Sequence, residues 1–244
     1  MPHPPAANQG PCGQQVRDRG SGETALLLLL SATAGSTDAI GFLGLNGLFT
    51  AHITGNIVIL ANHLVTQGNG GLAQMISVPV FMAVLGMARL LGLALDRSGN
   101  GVATRALLTL QLALLLGFFL LGLPLGPSSD ADAPWAVLAG MCGVAAMAVQ
   151  NALVQTEFPG TPSTAVLTTN ITRFTVAAVE AVAGPSVKRG DARDKVRSTS
   201  LPIIGFVTGC AAGGCVEWQI GLGALLLPIL LALSALLASP DPTT

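Results

Sequence analysis

From residue 25 to residue 238 the chain is a succession of long apolar runs separated by short polar turns. A helix needs about 20 mostly apolar residues to cross a bilayer. The pattern predicts crossings at 25–45, 76–95, 106–123 and 135–154. The segment 201–238 is long enough for two more, with the reversal expected at Glu217-Trp218-Gln219. Two further apolar segments, 48–65 and 164–183, are unusual because each starts with polar residues. Runs such as 107–123 do not alternate, which argues against a barrel of short alternating strands.

Composition agrees with a membrane protein. Of the 244 residues, 51% are hydrophobic and only 9% charged, with mean hydropathy +0.67. Soluble domains carry about 25% charged residues, enough to cover a water-facing surface. The net charge of −1 gives no argument for a nucleic-acid partner. The four cysteines, Cys12, Cys142, Cys210 and Cys215, lack metal-ligand spacing. Three lie in apolar stretches, where cysteine behaves as a small hydrophobe. Neither a cofactor nor a metal is expected. Residues 1–24 are read as a polar, disordered cytoplasmic tail, 25–238 as one transmembrane domain, and 239–244 as a second short tail.

The two unusual segments resemble each other. Thr50-Ala51-His52-Ile53-Thr54-Gly55-Asn56-Ile57 aligns without gaps on Thr164-Ala165-Val166-Leu167-Thr168-Thr169-Asn170-Ile171, with five of eight positions identical. Asp38-Ala39 has a counterpart in Asn151-Ala152, displaced by one residue. Each half runs polar-ended helix, Thr/Asn segment, then two ordinary crossings. An internal duplication with repeats at 25–123 and 135–238 follows.

Charge decides between two topologies. Cytoplasmic loops collect Lys and Arg. With six crossings, the arginine-bearing turn 96–105 is cytoplasmic and the acidic loop 124–134 lies outside. With eight crossings the two exchange sides and the repeats become parallel. The expected fold is therefore an all-α membrane protein of six transmembrane helices, two re-entrant or broken Thr/Asn segments and inverted repeats. Both termini and the basic stretch 184–200 are then cytoplasmic. Gly205, Gly209 and Gly213 form a small-residue stripe suited to close helix packing, including contact with a second copy of the chain.

Candidate chemistry gathers at the two segments. An ionised Asp38 at a lone helix centre costs about 2.5–3.5 kcal/mol even on the gentlest scale, so it must face a cavity, take a partner or cap a backbone. His52 precedes Asn56 by four residues and shares a helical face with it; it suits proton transfer or a hydrogen bond to a solute oxygen. Thr54, Asn56, Thr168 and Asn170 offer donors and acceptors, Gly55 tolerates a break, and Asn151 is Asp38's counterpart. Arg173 and Glu180 lie two helical turns apart and complete the candidate set, with Arg173 a possible partner for Asp38 or an anchor.

Thr37-Asp38-Ala39-Ile40 with Phe49 and Thr54-Gly55-Asn56, then Gln150-Asn151-Ala152 and Thr168-Thr169-Asn170, resemble the YoaK-like family of bacterial inner-membrane proteins, also classed as a domain of unknown function. The family has Thr-Gly where this chain has Thr168-Thr169. The resemblance implies a multi-pass inner-membrane location. From the residues, the expected function is a small-solute transporter or channel whose polar site lies between the two segments. Its partners are lipid and an unidentified solute or ion. No nucleophile elbow and no zincin motif supports an enzyme, so catalysis is not expected; the alternatives are an intramembrane enzyme, such as a hydrolase using Asp38 and His52, and a structural or signalling membrane partner.

Overall fold

The computed structural model describes residues 21–66, 71–95, 101–126, 132–157, 164–165, 167–185 and 189–239. Among these, all regular structure is helical: α1 (Ser21–Gly44), α2 (Ile53–Thr66), α3 (Leu72–Leu95), α4 (Val102–Gly122), α5 (Pro134–Glu157), α6 (Leu167–Ala183), α7 (Arg189–Ile220) and α8 (Leu226–Ala238), with a 3-10 turn at Gly221–Leu225 between the last two. Five helical runs are long and apolar enough to cross a membrane: α1, α3, α4, α5 and the continuous run Arg189–Ala238.

That last run is a hairpin. Gly221 takes a left-handed φ of +59°, which a glycine adopts without steric cost. Beyond it, α8 descends alongside α1 while α7 climbs it, as the packing below requires. The reversal therefore falls at Gly221, just past the predicted Glu217-Trp218-Gln219.

Three apolar clusters are stacked along the bundle. Leu26, Leu107, Leu153 and Ala235 share the first; Ala34, Leu115, Ala146 and Ala232 the second; Ile40, Phe118, Ala139 and Leu225 the third. Each of α1, α4 and α5 passes through all three, while α8 passes through the first two and the 3-10 turn before it lies in the third. Read in chain order, α1 and α4 run one way, and α5 and α8 the other. The first helix of each half packs against the last two helices of the other set: α1 lies along α7 and α8, and α5 along α3 and α4. Within each trio the pairing has the same sense. Gly205, Gly209 and Gly213 of α7 meet Leu28, Ala32 and Ser36 of α1 in parallel, as Arg89 and Gly92 of α3 meet Thr156 near the end of α5.

The glycine stripe is thus consumed within the chain. A Cβ on Gly209 would lie 2.3 Å from the Ala32 carbonyl oxygen, so the helices approach to backbone contact there. The stripe has no free surface for the second copy that its spacing also allowed.

The two ends of the bundle differ in charge. Every described Lys or Arg lies on the first cluster's side of the middle one: Arg89, Arg105, Arg173 on α6, and Arg189, Arg193, Lys195 and Arg197 on α7. The opposite end holds Asp132, Glu217 and two exposed tryptophans, Trp135 and Trp218. The basic stretch at 184–200 is helical from Arg189 onward, continuous with the apolar run that follows. Asp191 stands four residues before Lys195, a spacing that supports a helix. Helix α2 starts at Ile53 and not near residue 48, because residues 45–52 form an irregular break. The predicted N-terminal tail, apart from its last four residues, and the C-terminal tail beyond Ser239 fall outside the described residues.

Candidate functional site

The break between α1 and α2 begins with Asn46 and Gly47 at positive φ, +49° and +82°. These turn the chain back toward the bundle interior, so that Thr50 is fully buried. A backbone turned inward this way needs partners for its N–H and C=O groups. Two side chains supply them.

Asp38, 3% exposed on α1, is the first. Its Oδ1 accepts the backbone N–H of Thr50 at 2.8 Å and of Ala51 at 2.7 Å, a longer contact from His52 N at 3.4 Å, and the Thr50 hydroxyl at 3.3 Å. Its Oδ2 lies 2.6 Å from His52 Nδ1. Asn56, fully buried in the first turn of α2, is the second. Its Oδ1 accepts Phe49 N–H at 2.8 Å; its Nδ2 donates to Phe49 O at 2.7 Å and to Ser77 Oγ on α3 at 2.9 Å. The carboxamide thus pairs with Phe49 as a neighbouring strand would. Gly55 is needed beside it, since a Cβ there would lie 2.7 Å from the Phe49 ring. Phe49 in turn stacks on Phe42, with centroids 4.6 Å apart.

His52 is the open member of the group. Its side chain is 33% exposed, and its ring meets the edges of Phe49 at 5.9 Å and of Phe206 on α7 at 5.3 Å. Asp38 takes His52, and not Arg173, as its partner. Arg173 and Glu180 are both exposed on α6, away from this pair.

The second break, before α6, is held differently. Thr164, 2% exposed, accepts from Gln150 Nε2 on α5 at 3.0 Å. The same Nε2 reaches Leu30 O on α1 at 2.9 Å, and Gln111 Nε2 on α4 donates to Gln150 Oε1 at 2.7 Å. Gln150 thus holds Thr164 much as Asp38 holds Thr50. Its neighbour Asn151 donates to Met147 O in its own helix. Asn170 is buried, like Asn56, while Thr54 and Thr168 are exposed at matching positions.

The two breaks meet indirectly. Ala51 and Ala165 pack on the same middle cluster, around Leu115, Ala146 and Met147. From there α2 runs outward beside α3, with Asn56 at Ser77 and His63 at Gly71. Helix α6 starts at Leu167 on that cluster and ends at Gly184, whose carbonyl accepts from Arg189 at 2.9 Å. The two short helices therefore leave mid-depth in opposite directions.

The sequence singled out Asp38, His52 and Asn56, and these do come together. It passed over Ser77, Gln111 and, outside the family motif, Gln150. A lone amide in an otherwise apolar run was the available signal for Gln111 and Gln150. Among the described residues no group of three or more His, Cys, Asp or Glu is placed to hold a metal ion.

Neither the curated proteins nor the solved structures contain a match to the chain. A family model described as protein of unknown function, DUF1275, matches residues 26–238, and the chain belongs to that family.

Proposed function

We propose that this chain is a small-solute transporter or channel of the bacterial inner membrane, built from two inverted halves, with its polar site where the breaks converge. The carrying observation is the shared middle cluster beneath Ala51 and Ala165, from which α2 and α6 depart toward opposite ends. Irregular backbone at membrane depth is tolerated where protein or a cavity surrounds it. Inverted repeats with broken segments at the midplane are a plan that many transporters use.

Six crossings fit this reading. The 14 residues of α2 span roughly 21 Å at about 1.5 Å per residue, short of a hydrocarbon core of about 30 Å. The end of α1 and the start of α3 also lie together, since Gln74 Nε2 donates to Asn46 O at 3.2 Å. The basic end is then cytoplasmic, with both termini, and the tryptophan end faces outward. Within the family, the YoaK-like resemblance carries the same location. No catalysis is assigned to the site.

Topology is tested with single cysteines in a chain stripped of its native ones. Thr66→Cys should react with an impermeant thiol reagent from outside and Ser239→Cys only from the cytoplasm; labelling of both from one side would overturn six crossings. Function is tested in proteoliposomes offered a panel of small ions and neutral metabolites. Uptake of at least one solute, lost in His52→Gln without loss of incorporated protein, is the expected result. A wild type that moves none of them, or a His52→Gln variant that transports normally, would sink this assignment.

A further inference from the structure

The contacts of Asp38 dictate where the protons of His52 sit. Around Oδ1 only donors converge: two backbone N–H groups within 2.8 Å and the Thr50 hydroxyl. Every one of these contacts is one in which the carboxylate accepts. A carboxylate can only accept, so the proton in the 2.6 Å contact belongs to His52 Nδ1. The neutral ring is thereby held as the Nδ1–H tautomer, and its lone pair is on Nε2. That atom makes no hydrogen bond among the described residues, and the side chain is 33% exposed.

We infer that His52 Nε2 is a proton-binding site, and that solute movement past the break is coupled to the proton it carries. The coupling rests on the transport reading above; the proton site does not. In the binding step, the Nε2 lone pair forms an N–H bond with a proton delivered by water at the exposed face, and imidazole becomes imidazolium. No bond to Asp38 breaks, because Nδ1–H donates in both states. The charge of the break changes from −1, on Asp38 alone, to zero as an Asp38–imidazolium pair. Release is the reverse.

Few other ionisable groups face this pair. On α7, Cys210 donates to Gly35 O at 3.2 Å, about one turn of α1 before Asp38. Glu217, also on α7, lies further out beside Gly44. On α3, α4 and α5 the side chains around the break are Gln74, Ser77, Phe118, Met147 and aliphatic ones, none of which titrates, together with the Cys142 thiol, which packs on the cluster of Leu45 and Leu48. In the second break, Gln150 stands where Asp38 stands in the first, and Val166 aligns with His52. Among the described residues there is therefore one such site, and it binds one proton.

The test is an imidazole ¹⁵N NMR titration of the full chain in lipid nanodiscs, with His3→Gln and His63→Gln leaving His52 as the only histidine. Between about pH 5 and pH 8, where imidazole changes charge, Nδ1 should stay protonated while Nε2 converts from bare to protonated. An Nε2–H neutral tautomer, or a ring that keeps one state throughout, would overturn the proton site. Asp38→Asn should abolish the Nδ1–H preference; if that variant does not fold, the titration of the unaltered pair decides alone. In proteoliposomes, an imposed proton gradient should accelerate the solute uptake found for the wild type but not that of His52→Gln. A titrating His52 with uptake indifferent to the gradient removes the coupling. Absence of any uptake removes the transport reading and the coupling together, leaving the proton site to the titration.

Discussion

The two breaks share a plan but are held by different chemistry. In each, a polar side chain from the preceding long helix grips a buried threonine, Thr50 through Asp38 and Thr164 through Gln150. In each, a buried asparagine sits in the first turn of the short helix. The first grip is a carboxylate in contact with a partly exposed imidazole; the second is a neutral amide tied to Gln111 and to Leu30 O. Hydrogen bonds to a charged acceptor are roughly twice as strong as neutral ones. A charge in the membrane interior is also costly unless it is fully satisfied. The two breaks thus share a scaffold, and only the first carries a group that can change its charge.

The largest effect is expected where one side chain closes most of a break. Asn56→Ala would strand Phe49 N and O, both buried inside the turn, and release Ser77. Each stranded group costs about 1–3 kcal/mol, so the loss should be several kcal/mol. Thermal unfolding in detergent should reveal it as a collapse of the midpoint or of folded yield. A variant as stable as the wild type would mean that the clasp does not hold the break.

Next comes the comparison itself. Asp38→Ala removes the acceptor for two short backbone bonds and should cost about 2–6 kcal/mol, given about 1–3 for each stranded donor. Gln150→Ala removes neutral bonds and should cost less, about 1–3 kcal/mol on the same scale. Equal losses in parallel unfolding experiments would show that the charge adds nothing to the first grip. A larger loss for Gln150→Ala would reverse the ranking of the halves.

Gly209→Ala probes how the halves are joined and not how the breaks are held. The new methyl would fall 2.3 Å from Ala32 O, a backbone atom that cannot swing aside. Overpacking of this kind costs about 1–3 kcal/mol. The expected result is a lowered unfolding midpoint with the His52 titration intact, because α1 and α7 must part while Asp38 and Thr50 need not.

How much of this was legible in the chain depends on the range of the interaction. The apolar runs announced the long helices because crossing a bilayer imposes a length. Asp38, His52 and Asn56 were legible because polar groups in such runs need partners, and these partners lie within about twenty residues of one another. The trios were not legible. That α1 lies against α7 and α8, and α5 against α3 and α4, rests on contacts between residues far apart in the chain, 39 for Gln111–Gln150, 67 for Arg89–Thr156 and 175 for Cys210–Gly35, that no local pattern encodes. Residues 189–200 were read only as a basic stretch, because their charge masked a helix that continues into the apolar run. Gln150 was noticed only as part of a motif, since its role needs Gln111 and Thr164 brought in from other segments.

The smallest effect is the sharpest check on which motif positions matter. Thr54 and Thr168 occupy matching positions in the two aligned segments, and both are exposed on α2 and α6. Replacing either by valine keeps the shape and removes a hydroxyl that has surroundings to spare. Each change should therefore alter stability by no more than about 0.5 kcal/mol, the range for surface substitutions away from special features. The two should also behave alike, unlike Asp38→Ala and Gln150→Ala. Should Thr54→Val instead abolish solute uptake while Thr168→Val leaves it intact, the exposed face of α2 would belong to the solute path. The functional difference between the halves would then extend from the Asp38–His52 pair along the short helix itself.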